Sequence, residues 1–367
     1  MTNAPPRTLD DISQGRDNNL HLIRLLAASA VLVGHCWPLL YGAAVHDPLS
    51  NLLRPISPFA RGVSGIAVYI FFFLSGFLVT KSMVERGDLI DYAVSRIARI
   101  YPALIVVVSL LVFIAGPVFT TLSVEEYAAH PQTSRYFLTN IIIWKVAFPL
   151  PGVFADHAFT GVNGSLWTLP AEIRCYVLVA LFWMAGAFTH RNIFNMLTIA
   201  LAVGGYLFRD SLPFFIMRGH MEMAFFFLIG AVFYMNRDLI RLSPAAFVSV
   251  FLICLMLKGN ALYHPFAALF LCMTIAFLSW SLPNIFPKLN QFGDISYGVY
   301  IYAYPVQQIV IEITGGNIGP VQLLAVTTPI VFALAYLSWR LIEKPALSTK
   351  TRLLRNRPRQ ASEQRVS

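Results

Sequence analysis

Apolar runs of near-spanning length recur down the whole chain, over 20–41, 62–82, 97–118, 169–188, 192–208, 220–235, 243–257, 261–280, 295–313 and 320–341. A bilayer core offers the backbone no water to bond. A spanning segment must therefore satisfy its own N–H and C=O groups as a helix or within a closed barrel. Barrel strands read as stretches of about ten residues with alternating polarity. These runs are continuous and mostly near the roughly 20 residues that a spanning helix needs. The expected fold is all-α, a polytopic membrane helix bundle of about ten spans. The runs 192–208, 220–235 and 243–257 are short, which local thinning or packing within a bundle accommodates. Composition agrees: of 367 residues, 57% are hydrophobic and 12% charged, against about 45–50% and 25% in a soluble domain. One integral-membrane domain, 20–345, uses nearly the whole length. A polar tail, 1–19, precedes it, and a basic tail, 346–367, is expected to be disordered.

Charge orients the runs. Ten spans place Lys81, Arg86, Arg96, Arg99, Arg237, Arg241, Lys344 and the later tail cations on one side, and fewer cations on the other. The positive-inside rule makes the richer side cytoplasmic, with both termini there. A further apolar stretch, 136–150, is interrupted by Lys145 and bounded by Pro149 and Pro151. An eleventh full span would separate the termini, so 136–150 is expected to be re-entrant from the outer side. The first run exceeds a signal-peptide core and lacks a clean cleavage site, so it reads as an uncleaved span. Part of the formal charge of +9 sits in the tail beyond Lys344. Beside a last span, such a tail reads as an anchor on anionic lipid rather than a nucleic-acid surface.

Ionisable residues inside a membrane run are costly and so are candidates for function. Arg24 and His35 lie in the first run. Eleven residues at about 100° each bring His35 back to the Arg24 face, about 16 Å further along the axis. One face thus carries a permanent cation near the cytoplasm and a titratable imidazole beyond mid-membrane. Arg96 and Arg99 start the third run on neighbouring helix positions. Arg presents a planar fork of donors that matches phosphate oxygens, so the three arginines suit a polyphosphate ligand. Positive-inside anchoring is the plainer account of Arg96 and Arg99.

On the outer side, Glu172 in LWTLPAEIRCY shares a helix face with Tyr176. The topology puts Glu172 in the same membrane half as His35. A neutral His is the commonest general base, and a carboxylate can orient it. The plainer reading of Glu172 is an ion pair with Arg174 or a role at the helix start near Pro170. Ser75-Gly76 allows close helix approach. Trp167, Tyr176 and Tyr297, Tyr300, Tyr302 and Tyr304 are candidates for a polar, aromatic route for a sugar; an interfacial aromatic belt is as good a reading of any one of them.

The four cysteines, Cys36, Cys175, Cys254 and Cys272, fall in apolar segments with no C-x-x-C spacing, so no disulfide framework or metal site is expected. G-x-S-x-G, G-x-x-x-x-G-K-[ST] and H-E-x-x-H are all missing. A serine-hydrolase elbow, ATP-driven transport and zinc proteolysis therefore lack their motifs.

Taken in order, Arg24-x10-His35, FFFLSGFLVT (71–80), SRIARIYP (95–102), NGSLWTLPAE (163–172), ISYGVYIY (295–302) and WRLIEKP (339–345) resemble the acyltransferase-3 family of bacterial integral-membrane acyltransferases, over about 18–345. The resemblance implies transfer of an acyl group, usually acetyl, from acyl-CoA as donor substrate to a carbohydrate hydroxyl, with no tightly bound cofactor. It implies a multi-pass protein of the bacterial inner membrane. Partners would be acyl-CoA, a carbohydrate acceptor and the bilayer, with a homo-oligomer left open. By position, His35 carries over as the catalytic His, Arg24 as its essential partner, Arg96 and Arg99 as the family's arginines, and Glu172 as its glutamate. Two positions depart from the family pattern. Tyr69 stands where an Asp often precedes F-F-x-L-S-G, and Ala303 stands where a His often follows S-Y-G-x-Y-L, in what would be a loop. His35 is left as the main catalytic candidate. A transporter or flippase for a glycan or acylated lipid, with Arg24 and His35 as its substrate or proton site, is the alternative. A scaffold subunit of a polysaccharide synthase is a third.

Overall fold

The computed structural model describes residues 7–15, 17–54, 59, 62–207 and 218–355. The twelve principal helices are α1 (Leu20–Tyr41), α2 (Val63–Arg86), α3 (Leu89–Leu110), α4 (Pro131–Ile142), α5 (Leu169–Met184), α6 (Arg191–Leu207), α7 (Arg218–Met235), α8 (Pro244–Met256), α9 (Tyr263–Ala276), α10 (Ser296–Ile313), α11 (Pro320–Ser338) and α12 (Lys344–Arg355). Among the described residues there is no strand, only an isolated bridge between Thr120 and Val153. Each of the ten apolar runs becomes a helix. Six segments are long and apolar enough to cross a membrane: Leu20–Tyr41, Val63–Arg86, Leu89–Phe119, Gly164–Met184, Tyr263–Ser281 and Pro320–Thr349. The other four runs form the shorter or more polar helices α6, α7, α8 and α10. The chain is a multi-pass membrane protein.

The 136–150 stretch is not a span. Its helix, α4, has 12 residues, about 18 Å at 1.5 Å per residue, against a hydrocarbon core of about 30 Å. It stops at Ile143, which takes the left-handed conformation at φ 53°. The chain then runs without regular helix to a 3₁₀ turn, Gly164–Thr168, that leads into α5. Residues 9–12 form a helical turn capped by Thr8, whose hydroxyl accepts from Asp11 N, and Asp10 pairs with Arg237 at 2.7 Å. The basic tail is helical to Arg355, and its Leu347 reaches the cavity described below. Residues 1–6 and 356–367 lie outside the described residues.

Helices α2 and α7 make the closest crossing, with α1 packed against α2 and α10, and α10 against α11. The crossing depends on Gly76 and Gly230. A β-carbon on Gly76 would strike the Phe227 carbonyl, and one on Gly230 the Phe73 carbonyl. Between membrane helices, such backbone approach supplies the van der Waals contact that water-driven burial supplies elsewhere. Gly76→Ala or Gly230→Ala is expected to push the helices apart and destabilise the protein by about 1–3 kcal/mol, as overpacking does. A thermal midpoint in detergent equal to the parent would contradict this close contact. The four cysteines are free and buried.

α1 and α10 lie side by side and run in the same direction. Arg24 meets Asp294, just before α10, while Leu32, His35 and Cys36 meet Tyr304 and Gln307 further along. This alignment fixes where the polar residues stand along the bundle.

Candidate active site

A cavity of about 300 Å³ opens at the Asp294 end of the bundle. Its polar lining comes from Arg24 on α1, Ser75 on α2, Arg96 and Arg99 on α3, Glu172 and Tyr176 on α5, and Tyr297 and Tyr300 on α10. The structure thus gathers the three predicted arginines in one place. They are held differently. Arg24 Nη1 and Arg99 Nη2 converge on Asp294 Oδ2 at 2.9 and 2.6 Å, and Arg99 Nη1 stands 3.7 Å from Glu343 Oε2. Arg96 makes no ion pair among the described residues. Its guanidinium lies over the rings of Tyr92 and Tyr176, 5.9 and 5.6 Å from their centroids, and its Nε is buried without a partner.

Asp294 and Glu343 were not among the expected site residues. Gly293 places Asp294: it sits at φ 79°, and a β-carbon there would collide with the Trp339 indole. Both demands favour glycine. Glu343 ends a π-helical turn, Trp339–Glu343, between α11 and α12, and is 1% exposed. Such turns shift the register of a helix face and cluster at functional sites. Ser338 Oγ donates to Glu343 Oε1 at 3.1 Å. Burial alone would raise the Asp294 carboxyl. The guanidiniums of Arg99 and Arg24 reverse that and hold it well below the usual carboxylate range.

Glu172 accepts a short hydrogen bond from the Tyr176 hydroxyl, the predicted i,i+4 partner, and faces the arginine cavity. It does not meet His35, and it does not pair with Arg174. Arg174 points elsewhere, donating to the Trp144 carbonyl and to His220 Nδ1 at 3.3 Å. His220 Nε2 in turn donates to the Trp167 carbonyl at 2.8 Å. Trp167 is therefore part of this second network and does not line the cavity.

His35 lies beyond the cavity. Its ring meets Tyr304 edge-on at 5.3 Å, and its Nδ1 is buried without a hydrogen-bond partner. The cavity wall includes Tyr300 and Thr168, whose hydroxyls are 2.8 Å apart. Tyr304 is one helical turn, about 6 Å, past Tyr300. His35 itself does not line the cavity, so the expected continuity from Arg24 to His35 is not seen in its lining. The tyrosines divide by helical angle. Tyr297, Tyr300 and Tyr304 follow i, i+3, i+7 and share a face, whereas Tyr302 falls on another face; Tyr300 and Tyr302 are both buried in the main core. Position 303 is mid-helix rather than in a loop, and Ala303 packs with Ala28 and Leu32. Tyr69 donates to Glu222 Oε2 on α7 at 2.6 Å. Among the described residues, no cluster of three or more His, Cys, Asp or Glu could hold a metal ion.

Comparison with known proteins agrees with this arrangement. A family model described as an acyltransferase domain, acyltransferase-3, matches residues 17–340. An O-acetyl transferase of Shigella phage Sf6 is 31% identical over 91% of this chain and 97% of its own. Nodulation protein 10 of Rhizobium leguminosarum bv. viciae is 29% identical over 94% of this chain and 97% of its own. The peptidoglycan O-acetyltransferase OatA of Listeria monocytogenes is 25% identical over 76% of this chain, which spans 51% of that protein. No solved structure matches. The arginine-lined cavity, the imidazole beyond it and a family match over most of the length lead to one assignment: the chain belongs to the acyltransferase-3 family and is an acyltransferase.

Proposed function

We propose that the protein transfers an acyl group, acetyl in the first instance, from acyl-CoA to a hydroxyl of a cell-surface or lipid-linked carbohydrate. The observation that carries this reading is the convergence of Arg24, Arg96 and Arg99 on one cavity, with Arg24 on the helix that also bears His35. The cavity end would face the cytoplasm of a bacterial inner membrane, where acyl-CoA is made, with both termini on that side. The CoA phosphates would meet Arg96 first, because it alone of the three has no carboxylate among the described residues. The pantetheine arm would then pass Tyr300 and Thr168 to bring the thioester to His35. His35 takes the proton of the acceptor hydroxyl, whose oxygen attacks the thioester carbonyl. The carbon–sulfur bond breaks, and the CoA thiolate leaves with the proton from the imidazolium. Glu172, held by Tyr176, would act within the donor cavity rather than on the imidazole. Tyr297 would line the same passage.

The test uses purified protein, radiolabelled acetyl-CoA and candidate glycans. Label on glycan with release of free CoA supports the reading; label moved unchanged across proteoliposomes would sink it. Arg96→Ala is expected to raise the donor KM about tenfold, the scale of a lost charge-assisted hydrogen bond of about 1.5 kcal/mol or more. Since no carboxylate loses its partner, the fold should be unaffected. An unchanged donor KM would remove Arg96 from the donor site.

A further inference from the structure

The His35 imidazole has little of its own to fix it. Nδ1 is unpartnered and the ring touches Tyr304 edge-on. Its aim is therefore inherited from the backbone turn Leu32–Cys36. From α10, one side chain hydrogen-bonds to that turn among the described residues. The Gln307 amide donates from Nε2 to the Leu32 carbonyl at 2.8 Å and to Cys36 Sγ at 3.1 Å. On the other side, a β-carbon on Gly34 would lie 2.8 Å from the Ser64 β-carbon, so α1 is pressed against the start of α2. Gln307 is 0% exposed, and its Oε1 is buried with no partner. A buried carbonyl oxygen left unbonded costs free energy, and an apolar side chain of the same length would avoid that cost. Gln307 is thus a poor choice for packing alone.

We propose that Gln307 is a positioning residue for His35, clamping the turn that sets the rotation of α1 and hence the direction of the imidazole. The assignment rests on the reading of His35 as the base. Displacement of a catalytic group by about 1 Å can cost about 10²-fold in rate. Gln307→Met keeps length and volume but removes both donated bonds. It is expected to leave the thermal midpoint in detergent equal or higher, to leave the donor KM unchanged, and to lower kcat about 10²-fold. A residue serving only the fold would instead lower the midpoint and leave kcat per folded molecule intact.

Full kcat in folded Gln307→Met overturns the proposal. If that variant does not fold, Gln307→Asn is read the same way, because it keeps the amide but cannot reach both acceptors. His35→Ala run alongside separates the two ideas. Activity in His35→Ala removes the base itself, whereas inactive His35→Ala beside a fully active Gln307→Met removes only the clamp.

Discussion

His35→Ala is expected to reduce acyl transfer about 10²–10⁴-fold, the usual contribution of a positioned general base, with the amount of folded protein unchanged. The two halves of this expectation have separate causes. The loss of rate follows because the family's second His position, 303, is alanine here, packed against Ala28 and Leu32. His220 is engaged with Arg174 and Trp167. The preserved fold follows because the His35 ring makes no hydrogen bond through Nδ1 and one edge-on contact with Tyr304. Such an aromatic contact is worth about 0.5–1.5 kcal/mol. Size-exclusion profiles in detergent should therefore match the parent, while labelled acetyl transfer falls to near background. A His35→Ala protein with parental activity would end the proposed mechanism; one that is absent from the membrane would recast His35 as structural.

The bundle was readable because each run had to form its own backbone hydrogen bonds, which leaves helix as the one option for continuous apolar sequence. The break at 136–150 was readable from Lys145, Pro149 and Pro151, and the helix there does end at Ile142. The arginine cluster was legible for a related reason: a guanidinium in an apolar run must face protein or water. The carboxylates were not. Asp294 is 270 residues from Arg24 and 195 from Arg99, and beside a span it looks like an ordinary boundary residue. Glu343 enters through a π-helical turn, which no periodicity at 3.6 residues anticipates. Topology put His35 and Glu172 in the same outer half of the membrane, whereas Glu172 lines the cavity at the arginine end and His35 lies beyond it. Glu172 turned to the arginines and His35 to α10. Tyr302 was grouped with Tyr300 and Tyr304 by sequence neighbourhood, and two residues on a helix are about 200° apart.

Asp294→Ala is expected to destabilise the protein by about 3–5 kcal/mol, the cost of removing one partner from a buried charge network. Its side chain is 10% exposed and the two guanidiniums it holds are each 22% exposed, so water recovers little of the lost interaction. Arg99 retains Glu343 at 3.7 Å, but Arg24 keeps no carboxylate among the described residues. The loss should appear as a lowered thermal midpoint in detergent, and donor binding should fail with it as Arg24 and Arg99 separate. Asp294→Asn keeps the shape and removes only the charge, so it isolates the electrostatic part. Its pH dependence has a definite sign. The folded carboxyl lies below its unfolded value, so the unfolded chain binds more protons and stability rises with pH through that range. The advantage of the parent over Asp294→Asn should be full above about pH 4, the ordinary aspartate value. It should shrink as the pH falls further, through the lowered pKa of the folded state. An advantage that instead faded as the pH rose from about 6 to 8 would show that a protonated histidine carries the pairing. His21, which sits against the same Asp294–Arg24–Arg99 group, is the residue that outcome would identify.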